Sequence, residues 1–279
     1  MKRCALLMAV FALLTGVSVT RALAPLHGFG VVYFTPGSAH RLAAAGRHLN
    51  SAGGGTALPG QARGAGAAHQ DLNDRGTFEI FSAGKNIGTE QFDIRARPNQ
   101  IEAQGDVDLR IEQNGKTVEV RTSSNLLLDA LLDPLSYTWN QKGAQSSQLN
   151  IDFRVRPARA RYRTVTGQDD RRDFKLEKAV VVLDDNALHQ YQLALARYDE
   201  GKSGTQTFPA FVPQEALPGV ITLSFVGPES VTVNGDQRTL RRFLLTTELA
   251  QISLWVDDQG RLQMVSAPGA QYEAVRKIR

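Results

Sequence analysis

From Thr77 onward, apolar and polar residues alternate with a period of two. The clearest stretch sets Ile101, Ala103, Gly105, Val107, Leu109 and Ile111 against Glu102, Gln104, Asp106, Asp108, Arg110 and Glu112. Successive side chains of a strand point to opposite faces, so this pattern predicts a half-buried antiparallel strand. Asn114-Gly115 supplies a hairpin turn, and Val118, Val120 and Thr122 resume the alternation on the return strand. Leu149, Ile151, Phe153 and Val155 alternate with Asn150, Asp152, Arg154 and Arg156. Ile221-Leu223-Phe225, Val231-Val233 and Leu240 to Leu249 follow. Ile252-Leu254-Val256 then pairs with Leu262-Met264 across the turn Asp257-Asp258-Gln259-Gly260. Strands separated by turn residues predict a mainly β fold: a single large curved antiparallel sheet or a half-open β-barrel.

One segment departs from that period and predicts one short helix. Asp185-Asn186 is placed to cap it, Leu188, Tyr191, Leu195 and Tyr198 form one apolar stripe, and Gly201 stops it. Such a stripe suits a helix that lies on the sheet or plugs the end of a barrel. The Gly/Pro stretch from Gly201 to Pro218 reads as a long loop, and long loops serve as lids.

The chain before the alternation has a different character. Met1-Lys2-Arg3 followed by the apolar run Cys4 to Val19 has the layout of a secretory signal, here residues 1–24. An uncleaved anchor is the rival, because Pro25 follows the small residues Ala22-Leu23-Ala24 and disfavours cleavage. Either reading places the rest of the chain outside the cytoplasm, periplasmic or extracellular, and tethered if the segment stays attached. Residues 25–76 are rich in glycine and alanine and read as a flexible tether, leaving 77–279 as the β domain. Four of the five histidines (His27, His40, His48 and His69) fall in the tether, at spacings that match no metal-ligand pattern.

Composition then narrows the function. The chain has 279 residues, 42% of them hydrophobic and 22% charged, enough to bury a core. A formal charge of +4 looks basic, yet residues 77–279 hold 25 Lys/Arg and 26 Asp/Glu. That near-neutral body gives no electrostatic reason to bind nucleic acid. The single cysteine excludes a disulfide scaffold and any cysteine-rich zinc module.

The motifs are few. Ala196-Arg197-Tyr198-Asp199-Glu200-Gly201-Lys202-Ser203 fits a relaxed phosphate-loop pattern. A phosphate loop must leave a strand and open a helix, however, and this one leaves a helix and runs into Pro209 and Pro213. No nucleotide, metal or cofactor is therefore expected. Arg159, Arg161 and Arg163 share one strand face and form a candidate anion strip, with Arg154 and Arg156 nearby. The plainer reading pairs these arginines with acidic neighbours such as Asp106, Asp108 and Glu119 across strands. His189 and Asp185 sit one helical turn apart and are the catalytic candidates, as base and orienter, although no nucleophile elbow accompanies them. Tyr137, Trp139, Phe153 and Trp255, with Leu188 and Tyr191 from the helix, are the residues expected to line a hollow if the sheet wraps around one.

In chain order, Phe78-Glu79-Ile80 with Gly84 and Ile87-Gly88, then Leu131-Leu132-Asp133-Pro134-Leu135-Ser136-Tyr137, Leu183-Asp184-Asp185-Asn186, and Leu254-Trp255-Val256-Asp257-Asp258 with Gly260-Arg261-Leu262 form a recognisable series. In these features the body resembles a family of secreted bacterial β-rich proteins of unknown function. At the level of fold that family is similar to the half-open barrels of the lipoprotein carriers LolA and LolB. The resemblance implies a strongly curved antiparallel sheet with a helix near its open side, and it transfers no catalytic residue.

These readings converge on an exported cell-envelope protein that binds a hydrophobic small molecule or lipid on the concave face of its sheet, without catalysis. Two alternatives stand beside it: an envelope scaffold with a dry core that contacts other envelope proteins, and a hydrolase that uses His189.

Overall fold

The computed structural model describes residues 72–277, apart from 114, 143–145, 165, 185 and 249. The expected signal segment and nearly all of the tether lie outside the described residues. Fifteen strands form one sheet: β1 Asp74–Ser82, β2 Lys85–Arg97, β3 Gln100–Gln113, β4 Lys116–Asp129, β5 Pro134–Lys142, β6 Ser147–Asp152, β7 Ala158–Arg163, β8 Asp169–Phe174, β9 Val181–Val182, β10 Gln206–Val212, β11 Leu217–Val233, β12 Asp236–Thr246, β13 Gln251–Val256, β14 Leu262–Ala267 and β15 Tyr272–Arg276. The helix α1, His189–Leu195, lies between β9 and β10. The sheet order is β8 through β1, then β15 through β9, so the first and last strands meet at its centre. Every pairing is antiparallel except β9 with β10, which makes the sheet mixed at that edge.

The two edges are β8 and β9, and only residues 175–180 separate them in the chain. A connection that short forces the ends of the sheet toward each other, and aromatic contacts span the gap. Phe174 of β8 packs on Phe211 of β10 with centroids 4.9 Å apart, and Phe153 meets Phe211 edge-on at 6.4 Å. Tyr162 of β7 donates its hydroxyl to Pro213 O at 2.9 Å. The result is a strongly curved, unclosed sheet with one helix on its concave side.

The alternation in the sequence becomes the wall of that half-barrel. Phe78, Ile80, Ile94, Ile101, Leu126, Leu223, Leu245 and Leu254 are buried inside, each contributing about 1.5–3 kcal/mol of apolar transfer. Curvature is helped by irregularities. Ile87 is an extra residue between the pairs Ile80–Gly88 and Phe81–Asn86. Beside this bulge Gly88 has φ +156°, and a Cβ there would fall 2.0 Å from Asp108 O, so only glycine lets β2 close on β3.

Two expectations about local structure need correction. Residues 201–218 are not one long loop: 206–212 form β10, and the remainder makes short turns before it and before β11. Pro209 is tolerated because β9 covers β10 only at Ala210 and Phe211, leaving the proline at an uncovered stretch of edge. The helix is also shorter than its stripe, ending at Leu195. Arg197 there turns away to donate to Leu132 O and Ala179 O, and Tyr198 packs edge-on against Phe243 at 5.3 Å.

Candidate functional site

α1 lies against β3, β9 and β14, in the hollow of the sheet rather than on its rim. Its buried residues are His189, Gln190, Gln192, Leu193 and Ala194, so burial wraps around the helix instead of following the stripe alone. Of the stripe, Leu188 is fully buried, whereas Tyr191, Leu195 and Tyr198 are half-buried. A helix sunk in a core needs partners for its polar side chains, and the glutamine carbonyl oxygens find backbone donors. Gln190 Oε1 accepts the Asp184 N–H at 2.6 Å, and Gln192 Oε1 accepts the Leu262 N–H at 3.1 Å.

His189 meets a residue that the sequence reading passed over. Its Nδ1 lies 2.7 Å from Glu90 Oε1, and its backbone N–H donates to Glu90 Oε2 at 3.2 Å; both side chains are wholly buried. Burial pushes the Glu90 carboxyl above the ordinary carboxylate range, and the His189 contacts oppose that rise. Gly105 of β3 supplies the space, because a Cβ there would lie 2.5 Å from His189 Cε1. Phe92 stacks parallel to the imidazole at 6.3 Å, and Phe78 stacks on Phe92 at 5.3 Å. Nε2 has no hydrogen-bond partner, so no hydroxyl or thiol is poised on this histidine among the described residues. Its proposed orienter Asp185 lies outside the described residues.

The second polar contact joins Tyr137 to Asp184. The Tyr137 hydroxyl donates to Asp184 Oδ2, and Gln214 N–H approaches Asp184 Oδ1 at 3.4 Å. Burial first, and the Asp184 charge second, hold the Tyr137 phenol well above its usual range. Contacts from four parts of the chain thus meet at α1 and the residues flanking it: Phe78 through Phe92, Leu132 through Arg197, Tyr137 through Asp184 and Leu262 through Gln192.

Beside α1 an apolar cavity of about 110 Å³ opens between the helix and strands β10 to β14. Its floor is the buried set Leu188, Ala210, Ile221, Leu245, Ile252 and Val265. Asn186, Tyr191, Thr247 and Ala270 line it from partly exposed positions, as does Val220, an apolar side chain left 52% exposed. Cavities on the order of 150 Å³ with such linings hold a benzene-sized molecule. Of the expected lining residues, Leu188 and Tyr191 border this cavity. Tyr137, Trp139 and Phe153 are buried in the continuous core elsewhere in the hollow. Trp255 lies on the opposite face of the sheet with Val233 and Leu240, its indole N–H donating to Glu229 Oε2 at 3.0 Å.

The arginine strip finds acidic partners, though not those named from the sequence. Arg161 and Arg163 both bind Asp169, holding its carboxyl down to about 2. Arg159 lies 3.9 Å from Asp173, and Arg154 binds Asp152 at 2.9 Å. A separate polar cleft is lined by Arg75, Arg95, Arg238, Arg261, Arg276 and Lys277, with Asp74, Asp93 and Asp257 among them. The phosphate-loop look-alike is the helix exit, with Gly201 N–H donating to Asp199 Oδ1 at 3.0 Å. No group of three or more His, Cys, Asp or Glu residues is placed to hold a metal among the described residues. No described helix is long and apolar enough to cross a membrane.

No protein-family model and no curated protein matches the chain. Among solved structures, a DUF1089 family protein from Pseudomonas aeruginosa is similar to it, with 12% identity and a TM-score of 0.41 over 65% of this chain and 90% of that one.

Proposed function

We propose that the protein is an exported envelope component that holds an apolar or lipid-like molecule, without catalysis, in the hollow between α1 and strands β10 to β14. The single observation carrying this reading is the apolar cavity floored by Leu188, Ala210, Ile221, Leu245, Ile252 and Val265. Protein interiors leave few voids larger than a water molecule, so an apolar cavity of this size supports the reading. The concave sheet with a helix inside also agrees with the half-barrel form of lipoprotein carriers. At this volume the site admits one slim chain or ring, so a bulky multi-acyl lipid would enter by only one of its tails.

The experiment is native mass spectrometry of freshly purified protein, followed by organic extraction. An apolar adduct is expected, and it should disappear in Ala210→Phe, whose ring occupies the cavity. Thermal unfolding of the variant checks that it is folded. A wild-type protein that carries no adduct, and binds no single-ring apolar probe such as fluorobenzene, removes the carrier reading and leaves the dry scaffold.

A further inference from the structure

The cavity has a marked charge asymmetry. Its lining includes no Lys, Arg or His. The stretches of chain that build it, 183–191, 210–222, 245–252 and 265–274, contain no Lys or Arg; of their acidic side chains Asp184 lines the cavity, Glu215 and Glu248 lie in turns next to lining residues, and Glu273 is exposed between the buried Tyr272 and Ala274. The one histidine in these stretches, His189, is engaged with Glu90 and does not border the cavity. The turn between β10 and β11 carries Glu215, half-buried between the lining residues Val212 and Leu217. Burial first and the neighbouring Asp184 second raise the Glu215 carboxyl above its usual range. Two carboxylates beside a low-dielectric opening repel a third anion and favour a cation.

Resting on the apolar-ligand reading above, we propose that this site takes amphiphiles with a cationic or uncharged head and excludes those with a carboxylate or phosphate head. The apolar tail enters beside Val220 and lies on Leu245 and Ile252. The head stays at the mouth near Glu215, where an ammonium relieves the repulsion between Glu215 and Asp184. A carboxylate head in the same place adds to that repulsion and finds no lining cation to pair with.

The test is competition against bound fluorobenzene, read by ¹⁹F NMR at neutral pH, by three amphiphiles with one chain length, decylamine, decanol and decanoate, each below its micelle concentration. Decylamine and decanol are expected to displace the probe, with decanoate weaker than decylamine by about tenfold or more. The gap should narrow as salt is raised, and it should also narrow in the double variant Glu215→Gln, Glu248→Gln. Decanoate binding as well as or better than decylamine overturns the selectivity while leaving the apolar site standing. A probe that binds but yields to none of the three overturns the amphiphile class. A probe that never binds removes the underlying reading and the selectivity with it.

Discussion

Gly105→Ala tests the placement of α1 most sharply. Gly105 has no positive φ, so alanine meets no backbone obstacle there. The added Cβ would instead lie 2.5 Å from His189 Cε1, 2.8 Å from His189 Nδ1 and 3.0 Å from Glu90 Oε1. The imidazole has little room to retreat, because it stacks on Phe92 and is wholly buried. Overpacking of this kind costs about 1–3 kcal/mol. Displacing the His189–Glu90 hydrogen bond adds about 1.5–3 kcal/mol, and the reduced freedom of the unfolded chain returns about 0.4–1 kcal/mol. The expected net loss is therefore about 1.5–5.5 kcal/mol, read as a lower urea midpoint with unchanged slope. Gly269→Ala, where nothing lies within 4 Å, serves as the control and should be near neutral. In a His189→Ala background the ring is gone and Gly105→Ala should cost almost nothing. A loss below about 0.5 kcal/mol, or the same loss in both backgrounds, would refute the reasoning.

Three further outcomes are expected. Asp74 is 3% exposed at its side chain and binds Arg276 through both oxygens, at 2.6 and 2.7 Å, so the carboxylate that opens β1 clamps β15, the last strand of the chain, at the centre of the sheet. Asp74→Ala should destabilise by about 3–5 kcal/mol in denaturant unfolding, and limited proteolysis should stop short of Leu72. Glu90, whose folded carboxyl burial raises above its ordinary value, binds a proton more readily when folded. Its contribution is fully present below that value and is lost as pH rises through the higher folded one, so the stability difference between wild type and Glu90→Gln should fall across that window; a pH-independent difference contradicts this. Arg161→Ala should leave the melting temperature unchanged within error, because its pairing with Asp169 is solvent-exposed.

Much of the wall was legible because a strand with one wet face writes its register into the chain. Ile101 to Ile111 alternate inward in the structure as in the sequence. Trp255 carried its own signal: it is out of phase with Ile252, Leu254 and Val256, and it packs on the other face. Glu90 was also readable in principle. It shares the inward phase of Phe92 and Ile94, and a carboxylate in that phase needs a buried partner. Its partner, 99 residues away, was not readable. The helix misled because its most deeply buried side chains include His189, Gln190 and Gln192, whose burial depends on backbone donors and a carboxylate supplied from elsewhere. The cavity was invisible for a related reason. Ala210, Leu245, Ile252 and Val265 each look like ordinary strand residues, and they meet only after the sheet curls around α1.

The hollow between α1 and strands β10 to β14 is proposed as a binding site for an apolar chain. The most direct measurement is the anomalous difference map of crystals grown with a bromine-tipped decylamine. A bromine peak enclosed by Leu188, Ile221, Leu245, Ile252 and Val265, and absent in Ala210→Phe, is expected. A cavity that stays empty, or a bromine peak only at some other surface, would contradict it.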